Sequence, residues 1–214
     1  MSLTNGGALS LTEAITSVKS TREAPVLWKW FLQHCHQLSG RSADSELVKE
    51  LDRLVLAAAD VGWEIGHDHG TPYLAISPRG ESNNEAKKLL ASAPVVPGWT
   101  IRLYKPPKEW NIRFSVALDG KQVEIDGSQW ECVCYRFPDG KRDLVFKAPS
   151  SLEGVEEENL WSIALTIVDG ELGEEVRRTC VSQVDLTTTW SAREAPMARR
   201  LAPGLLRELV VDES

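Results

Sequence analysis

Two histidine pairs are the first residues whose type and spacing could do chemistry. All four histidines of this 214-residue chain fall in H-x-H pairs, His34/His36 and His67/His69, and imidazole is the commonest side-chain ligand of protein metals. On a helix, side chains two residues apart point about 200° away from each other, so His34 and His36 cannot share one ion there. We therefore interpret this pair as surface histidines that flank a buried Cys35.

The stretch His67-Asp68-His69 is the better metal candidate. A loop can turn residues i and i+2 the same way, and imidazole with carboxylate suits zinc or a related ion. Two imidazoles leave such a site short of ligands, and Glu64 or another residue would have to complete it. A polar hairpin tip is the commoner meaning of this stretch. We expect no bound metal and no cofactor, and keep His67, Asp68 and His69 as the site of an alternative, metal-dependent hydrolase.

No other motif assigns a reaction. The sequence contains no G-x-S-x-G, no phosphate loop, no CxxC and no identifiable catalytic pair of carboxylates. The cysteine spacing is typical of neither a disulfide framework nor a zinc knuckle. We expect four reduced, mostly buried thiols that any activity can do without: Cys35, Cys132, Cys134 and Cys180. A non-enzymatic role is therefore the leading hypothesis.

Composition narrows the classes of partner. The chain has 24 Lys and Arg against 31 Asp and Glu, a net charge of −7, which disfavours nucleic acid as a partner. The first residues show no basic segment followed by an apolar one, and no apolar run approaches the roughly 20 residues that span a bilayer. We expect a cytoplasmic protein with no membrane partner.

The N-terminal part, about 9–60, is predicted to be helical. A short helix near 9–19 precedes a second that begins at Pro25 and ends by Gly40, with apolar residues on one stripe. A third helix covers about 47–58. Next come a hairpin of strands 63–65 and 73–76, a helix opened by the capping box Ser82-x-x-Glu85 and ended by Pro94, and a strand over 99–104.

The region 111–147 is predicted to be a β-meander. Strands at about 111–118, 121–125, 129–137 and 142–147 are separated by three Asp-Gly pairs, and Asp-Gly between β-rich runs favours a hairpin turn. A helix over 160–168, an extended segment over 176–186 and a helical segment near 194–210 follow. Strands and helices come in runs without a βαβ rhythm. We predict one α+β domain over 1–214, with its sheet part at about 61–190: a largely antiparallel sheet with a β-meander, packed against helices.

Four short motifs resemble those of a group of uncharacterised bacterial cytosolic proteins that share a domain of unknown function. They are Gly62-Trp-Glu-Ile-Gly66, Leu74-Ala-Ile-Ser77 with Gly80, Ala93-Pro94 with Gly98-Trp99, and Leu172-Gly-Glu174. The resemblance covers about residues 28–186 and implies the fold without an activity. It singles out Glu64, Trp99, Gly173 and Glu174.

An interaction surface is the leading functional hypothesis. Trp110 follows Lys105-Pro-Pro-Lys108, a stiff stretch, and is either a contact residue or a lid folded on the core. Glutamates concentrate over 153–175; a solvated face is the commoner meaning of such a stretch, and the alternative is a negative patch that suits a basic protein or a cation. The expected contact residues are Lys105, Lys108, Trp110, Glu156, Glu157, Glu158 and Glu174. This points to an accessory or immunity-type protein; a small-ligand binder with a tryptophan-lined pocket is a further alternative.

Overall fold

The computed structural model describes residues 11–39 and 45–211, with side chains from residue 23 onward in the first helix. The chain divides into two compact units, residues 1–104 and 105–214, and each is described by itself. The predicted single domain over 1–214 stays a prediction. Helices and antiparallel-rich sheets occur in both units, so the predicted α+β class is confirmed.

The first unit packs helices on a three-stranded sheet. Strand β1 pairs with β2 in antiparallel fashion, and β2 pairs with β3 in parallel. Buried apolar side chains of the first two helices and of β2 form its core. In chain order the elements are α1 (Leu11–Leu38), α2 (Ser45–Ala58), β1 (Val61–Asp68), β2 (Thr71–Pro78), α3 (Asn84–Ala91) and β3 (Thr100–Leu103).

The prediction of two helices before residue 40 is wrong, because α1 runs through Pro25 without a break. Proline removes one backbone donor, but its fixed φ is compatible with a helix. Ala24 and Leu27, on either side of it, are both buried, so packing on one face keeps the helix continuous. Gly40, the predicted end, lies outside the described residues. The predicted apolar stripe is confirmed, since Leu27, Trp28, Phe31, Cys35 and Leu38 are all buried.

The first hairpin is tighter than predicted. His69 and Gly70 alone form the turn, with φ of 48° and 81°, so His67 and Asp68 belong to β1. The predicted capping box of α3 is not formed. Glu85 Oε2 instead accepts the backbone N–H of Asp60 at 3.0 Å, because the chain between α2 and β1 passes this helix end.

The second unit contains a two-stranded sheet, β4-β5, and a four-stranded sheet in the order β8-β7-β6-β9. Its core lies between the four-stranded sheet and the longest helix of the unit. In chain order the elements are β4 (Arg113–Leu118), β5 (Lys121–Asp126), β6 (Glu131–Arg136), β7 (Arg142–Lys147), α4 (Glu157–Leu172), α5 (Glu174–Cys180), β8 (Val181–Leu186), β9 (Arg199–Arg200) and α6 (Leu205–Val210).

The predicted meander is formed in part. The pairs Asp119-Gly120 and Asp139-Gly140 turn the β4–β5 and β6–β7 hairpins as predicted. Asp126-Gly127 does not turn a hairpin: the Asp126 carboxylate accepts the N–H of Ser128 at 3.1 Å and opens a 3-10 helix, Gly127–Gln129. That helix divides the four strands between two sheets.

Two further segments differ from the prediction. Residues 176–180, predicted to be extended, belong to α5, because Gly173 with φ of 78° ends α4 and a new helix begins directly after it. Residues 199–200, predicted to be helical, form β9, which pairs with Glu131 and Cys132 of β6. Helix α6 begins only after Pro203-Gly204.

Each unit contains an antiparallel hairpin, a helical crossing and a third strand that pairs in parallel with the second strand of the hairpin. These are β1-β2-α3-β3 and β6-β7-α4-α5-β8. The sequence showed no βαβ rhythm because each crossing follows a hairpin instead of a single strand. Among the helices of the described ranges, none combines the length and the apolar composition needed to cross a bilayer.

Candidate functional site

The 105–110 loop lies against the junction of α4 and α5. Lys108 N–H donates to Gly170 O at 2.7 Å, and Glu174 N–H donates to Lys105 O at 3.0 Å. These two backbone bonds satisfy polar groups of both segments and hold the loop in place. The structure therefore brings together the loop and the end of the 153–175 region.

Trp110 packs on its own unit. Its indole N–H donates to Glu171 Oε1 at 2.9 Å, and its ring stacks on Phe114 with centroids 5.5 Å apart. Gly170 leaves room for the ring, since a Cβ there would overlap it. Lys108 is exposed, and its Nζ lies 5.8 Å from the centroid of the Trp110 ring. Of the two interpretations of Trp110, the lid on the core describes its geometry.

Glu171 is the centre of this arrangement. Its side chain is 6% exposed, and its second oxygen, Oε2, accepts the N–H of Gly204 at 2.7 Å. A buried carboxylate is stable only when its oxygens are hydrogen-bonded, and here each has a donor from a different segment. Glu171 thus joins the 105–110 loop, α4 and the start of α6.

Glu174 is also buried, at 2% exposure. It accepts a bond from Arg178 Nε at 2.9 Å and from the Lys105 N–H at 3.3 Å. Gly173 before it has φ of 78°, and a Cβ there would lie 2.8 Å from Pro107 Cδ. The Leu172-Gly-Glu174 motif therefore has a structural reason: the glycine admits the loop and the glutamate holds it.

A third carboxylate, Asp169, lies one turn before this junction. Burial raises its pKa, while its hydrogen-bonded partner Arg177 opposes that shift. Arg177 forms an ion pair with Asp169, and Arg178 forms one with Glu174. Asp169, Glu171 and Glu174 thus each hold a side chain or a backbone N–H of another part of the second unit.

The exposed glutamates lie at the other end of α4. Glu156, Glu157 and Glu158 are exposed at its start, about 20 Å along the helix axis from Glu171. The structure therefore does not bring them beside the 105–110 loop, because one helix spans the distance. Lys105 is partly buried, and Lys108 is exposed.

One exposed tryptophan lies beside these glutamates. Trp161 follows Glu157 by one helical turn and is 43% exposed. Its indole N–H donates to Val184 O in strand β8 at 2.8 Å, which fixes the ring against the edge of the sheet. We call Glu156, Glu157, Glu158 and Trp161 the acidic face.

In the His67-Asp68-His69 stretch, Asp68 and His69 already contact other side chains. Asp68 accepts from Arg102 Nη1 at 2.9 Å, and His69 Nε2 lies 3.7 Å from Asp68 Oδ1. In the described part of the chain, no group of three or more His, Cys, Asp or Glu side chains could hold a metal ion. The hydrolase alternative stays a hypothesis that these contacts do not favour.

The remaining motif residues have packing roles. Glu64 Oε1 accepts the Tyr73 hydroxyl at 2.6 Å, and burial together with that carboxylate raises the pKa of Tyr73. Trp99 packs edge-on against Phe31, with ring centroids 5.1 Å apart. Both motif residues therefore contribute to packing inside the first unit.

Two of the cysteines lie in the sheet of the second unit. Strand β6 places Cys132 in the core, where burial raises its thiol pKa, and leaves Cys134 partly buried.

Two cavities bear on the small-ligand alternative. The larger, about 410 Å³, is an open depression in the first unit beside the start of α3, and no tryptophan lines it. Its lining includes five polar or charged residues: Asp60, Arg79, Glu81, Ser82 and Glu85. The smaller, about 70 Å³, lies in the second unit beside Trp130 and would hold little more than one or two waters. Neither cavity is the predicted pocket.

Comparison with protein-family models, with curated proteins and with solved structures finds no match for this chain. The resemblance through the four short motifs therefore stays a prediction. Its residues Glu64, Trp99, Gly173 and Glu174 all take part in packing or in hydrogen bonds within a unit.

Sequence reasoning missed two residues of importance here. Neither Glu171 nor Trp161 is among the contact residues expected from the sequence. A signal for the first was Gly170, since a glycine inside a helical pattern often marks a close approach of another segment. No local signal distinguished Trp161 from the other tryptophans.

Proposed function

We propose that this protein acts by binding another protein, without a reaction of its own, and that the acidic face is its contact surface. One observation carries the proposal. Trp161 exposes 43% of its surface while its indole is fixed by Val184 O, and it lies beside exposed glutamates.

The physical argument concerns entropy and charge. An aromatic ring that is already held in place loses little freedom on binding, and such rings are enriched among residues that dominate binding energy. Glutamates around it attract a basic partner and raise the association rate at low salt. An accessory or immunity-type role would use such a surface.

The 105–110 loop is the weaker candidate for this contact. Trp110 is committed to Glu171 and Phe114, and Glu174 is buried. The exposed residues of the loop are Pro107, Lys108 and Glu109, which form a small surface. The proposal therefore moves the tryptophan anchor from Trp110 to Trp161 and keeps Glu156, Glu157 and Glu158.

The test is an affinity pull-down from the native host, followed by binding measurements with the captured protein. Changing Glu157 and Glu158 together to lysine should weaken binding about tenfold or more at low salt, mainly through a slower association rate. Trp161→Ala should weaken it by about 2 kcal/mol or more. Glu208→Lys, an exposed change in α6, is the matched control. Unchanged affinity in both acidic-face variants would refute the proposal.

The metal-dependent hydrolase remains an untested alternative. Elemental analysis of the purified protein tests this alternative. About one zinc, nickel or iron per chain, lost when His67 and His69 are changed to alanine, would support the hydrolase.

A further inference from the structure

We propose that the acidic face of one copy of this chain docks on an arginine-bearing edge of a second copy. That edge, here called the arginine edge, consists of Arg193, Arg199 and Arg200. The proposal rests on the proposed function, because it uses the same acidic face and names the partner: another molecule of this protein.

The arginine edge is built on the last strand of the four-stranded sheet. Arg199 and Arg200 form β9, the outermost strand next to β6, and both are exposed. Arg193 is exposed in the turn that leads to β9. Glu194 holds that turn, since it accepts the Tyr135 hydroxyl at 2.7 Å and the Ser191 N–H at 3.0 Å. The arginines are therefore carried on a fixed backbone.

The composition of this edge is that of a binding surface. Between residues 187 and 207 the chain has four arginines and one glutamate, although its net charge is −7. Met197, 42% exposed, lies in the same turn, and Phe137, 44% exposed, directly follows β6. Arginine, methionine and aromatic residues are enriched in protein interfaces.

The two charged surfaces lie at opposite edges of one sheet. Trp161 of the acidic face is bonded to β8, and the strand order β8-β7-β6-β9 puts the arginine edge on the far side. Three strand spacings separate these edges, about 14 Å. Trp161 and the arginine edge therefore lie apart within one copy, whereas a second copy offers each charged surface a partner of opposite charge.

Charge complementarity decides in favour of a second copy. Residues 153–158 contain four glutamates and no basic residue, and all four are exposed. Every copy of the chain carries one acidic face and one arginine edge, so each surface always has a complementary one available on another copy. Because the two surfaces differ, the contact is head-to-tail, and each copy that binds leaves one surface of each kind open.

Head-to-tail growth gives the first test. The wild-type protein at about 0.1 mM, analysed by sedimentation at low salt, should form a range of oligomers whose mean mass rises with concentration. In roughly 0.5 M salt, where charges are screened within a few ångströms, it should sediment as a monomer. A protein that stays monomeric at low salt would overturn the proposal.

Two neutralised variants give the decisive test. Glu157→Gln with Glu158→Gln removes charge from the acidic face, and Arg199→Gln with Arg200→Gln removes it from the arginine edge. For each variant alone, the association constant between copies should fall about tenfold or more. A mixture of the two retains one intact surface of each kind and should stop at a dimer of one copy of each. A mixture that stays monomeric, or grows as the wild type does, would overturn the head-to-tail contact.

A captured foreign protein separates this inference from the proposed function. If the glutamine variant of the acidic face loses a foreign basic partner while the wild type stays monomeric, the inference fails and the proposed function stands. If the Arg199/Arg200 variant loses a bound acidic protein or nucleic acid while the wild type is monomeric, the arginine edge has another occupant and the inference fails as well.

Discussion

The indole N–H of Trp110 donates to Glu171 Oε1 at 2.9 Å, although the two residues are 61 positions apart in the chain. Glu171 uses its other oxygen for Gly204, 33 positions further on. The Glu171 carboxylate therefore connects the first residues of the second unit, through Trp110, with the start of α6, through Gly204.

Trp110→Ala should destabilise the second unit by about 3 kcal/mol, because it removes a partly buried ring and leaves Glu171 Oε1 without its donor. Trp110→Phe keeps a ring and loses only the donor, so about 1–2 kcal/mol is expected. Chemical denaturation followed by circular dichroism measures both. Phe137→Ala, a change at an exposed ring, is the control, and a loss below about 0.5 kcal/mol for Trp110→Ala would contradict this packing role.

Gly173→Ala should cost clearly more than Gly140→Ala. Both glycines have φ near 80°, where an L side chain is strained, and Gly173 with its ψ of 152° lies in a backbone region almost restricted to glycine. Only at Gly173 would the added Cβ also meet the Pro107 ring, at 2.8 Å, while Gly140 has nothing within 4 Å. The difference between the two unfolding free energies measures this additional backbone strain together with the close approach to Pro107. Equal losses would show that the loop can move away at little cost.

Sequence reasoning succeeded where the information is local. Six apolar residues at helical spacing predict one face of α2: Leu51, Leu54, Val55 and Ala58 are buried, and Leu47 and Val48 are partly buried. It failed at Asp126-Gly127, because a hairpin also needs two strands that belong to one sheet, and β5 and β6 do not. The site itself was harder still, since the partners of Glu171 are set by tertiary packing and no periodicity records them.

Acid should weaken the turn that carries Arg193. The Trp190 indole and Lys147 hold the pKa of Glu131 below its usual range, and Ser191 and Tyr135 do the same for Glu194. A carboxyl whose pKa is lowered by folding stabilises the protein fully above its ordinary pKa, about 4.3, and that contribution is lost as the pH falls through the lower folded-state value.

The measurement is the free energy of unfolding between pH 6 and pH 3. Glu131→Gln should be less stable than the wild type at pH 6, and the gap should narrow below about pH 4. Glu153→Gln, an exposed change, should follow the wild type throughout. A gap that stays constant with pH would mean that the charge of Glu131 contributes nothing.

The thiols should differ in reactivity. Burial raises the pKa of Cys132 and, less completely, that of Cys134, and a thiol reacts through its thiolate. Cys132 and Cys35, both buried, should resist iodoacetamide at pH 8 in the folded protein, while Cys134 and Cys180 react slowly. Mass spectrometry of labelled peptides identifies each site, and a denatured sample in which all four react is the control. Rapid labelling of Cys132 in the folded protein would contradict its burial.

The parallel pairing of β7 with β8 has a consequence for synthesis on the ribosome. The β6–β7 hairpin is local and can form as soon as it emerges, whereas β8 arrives only after the whole of α4 and α5. At ordinary translation rates, that delay lasts on the order of seconds. During it, the free side of β7 is an unpaired strand edge open to other chains, so early misassembly of this protein would begin at Arg142–Lys147.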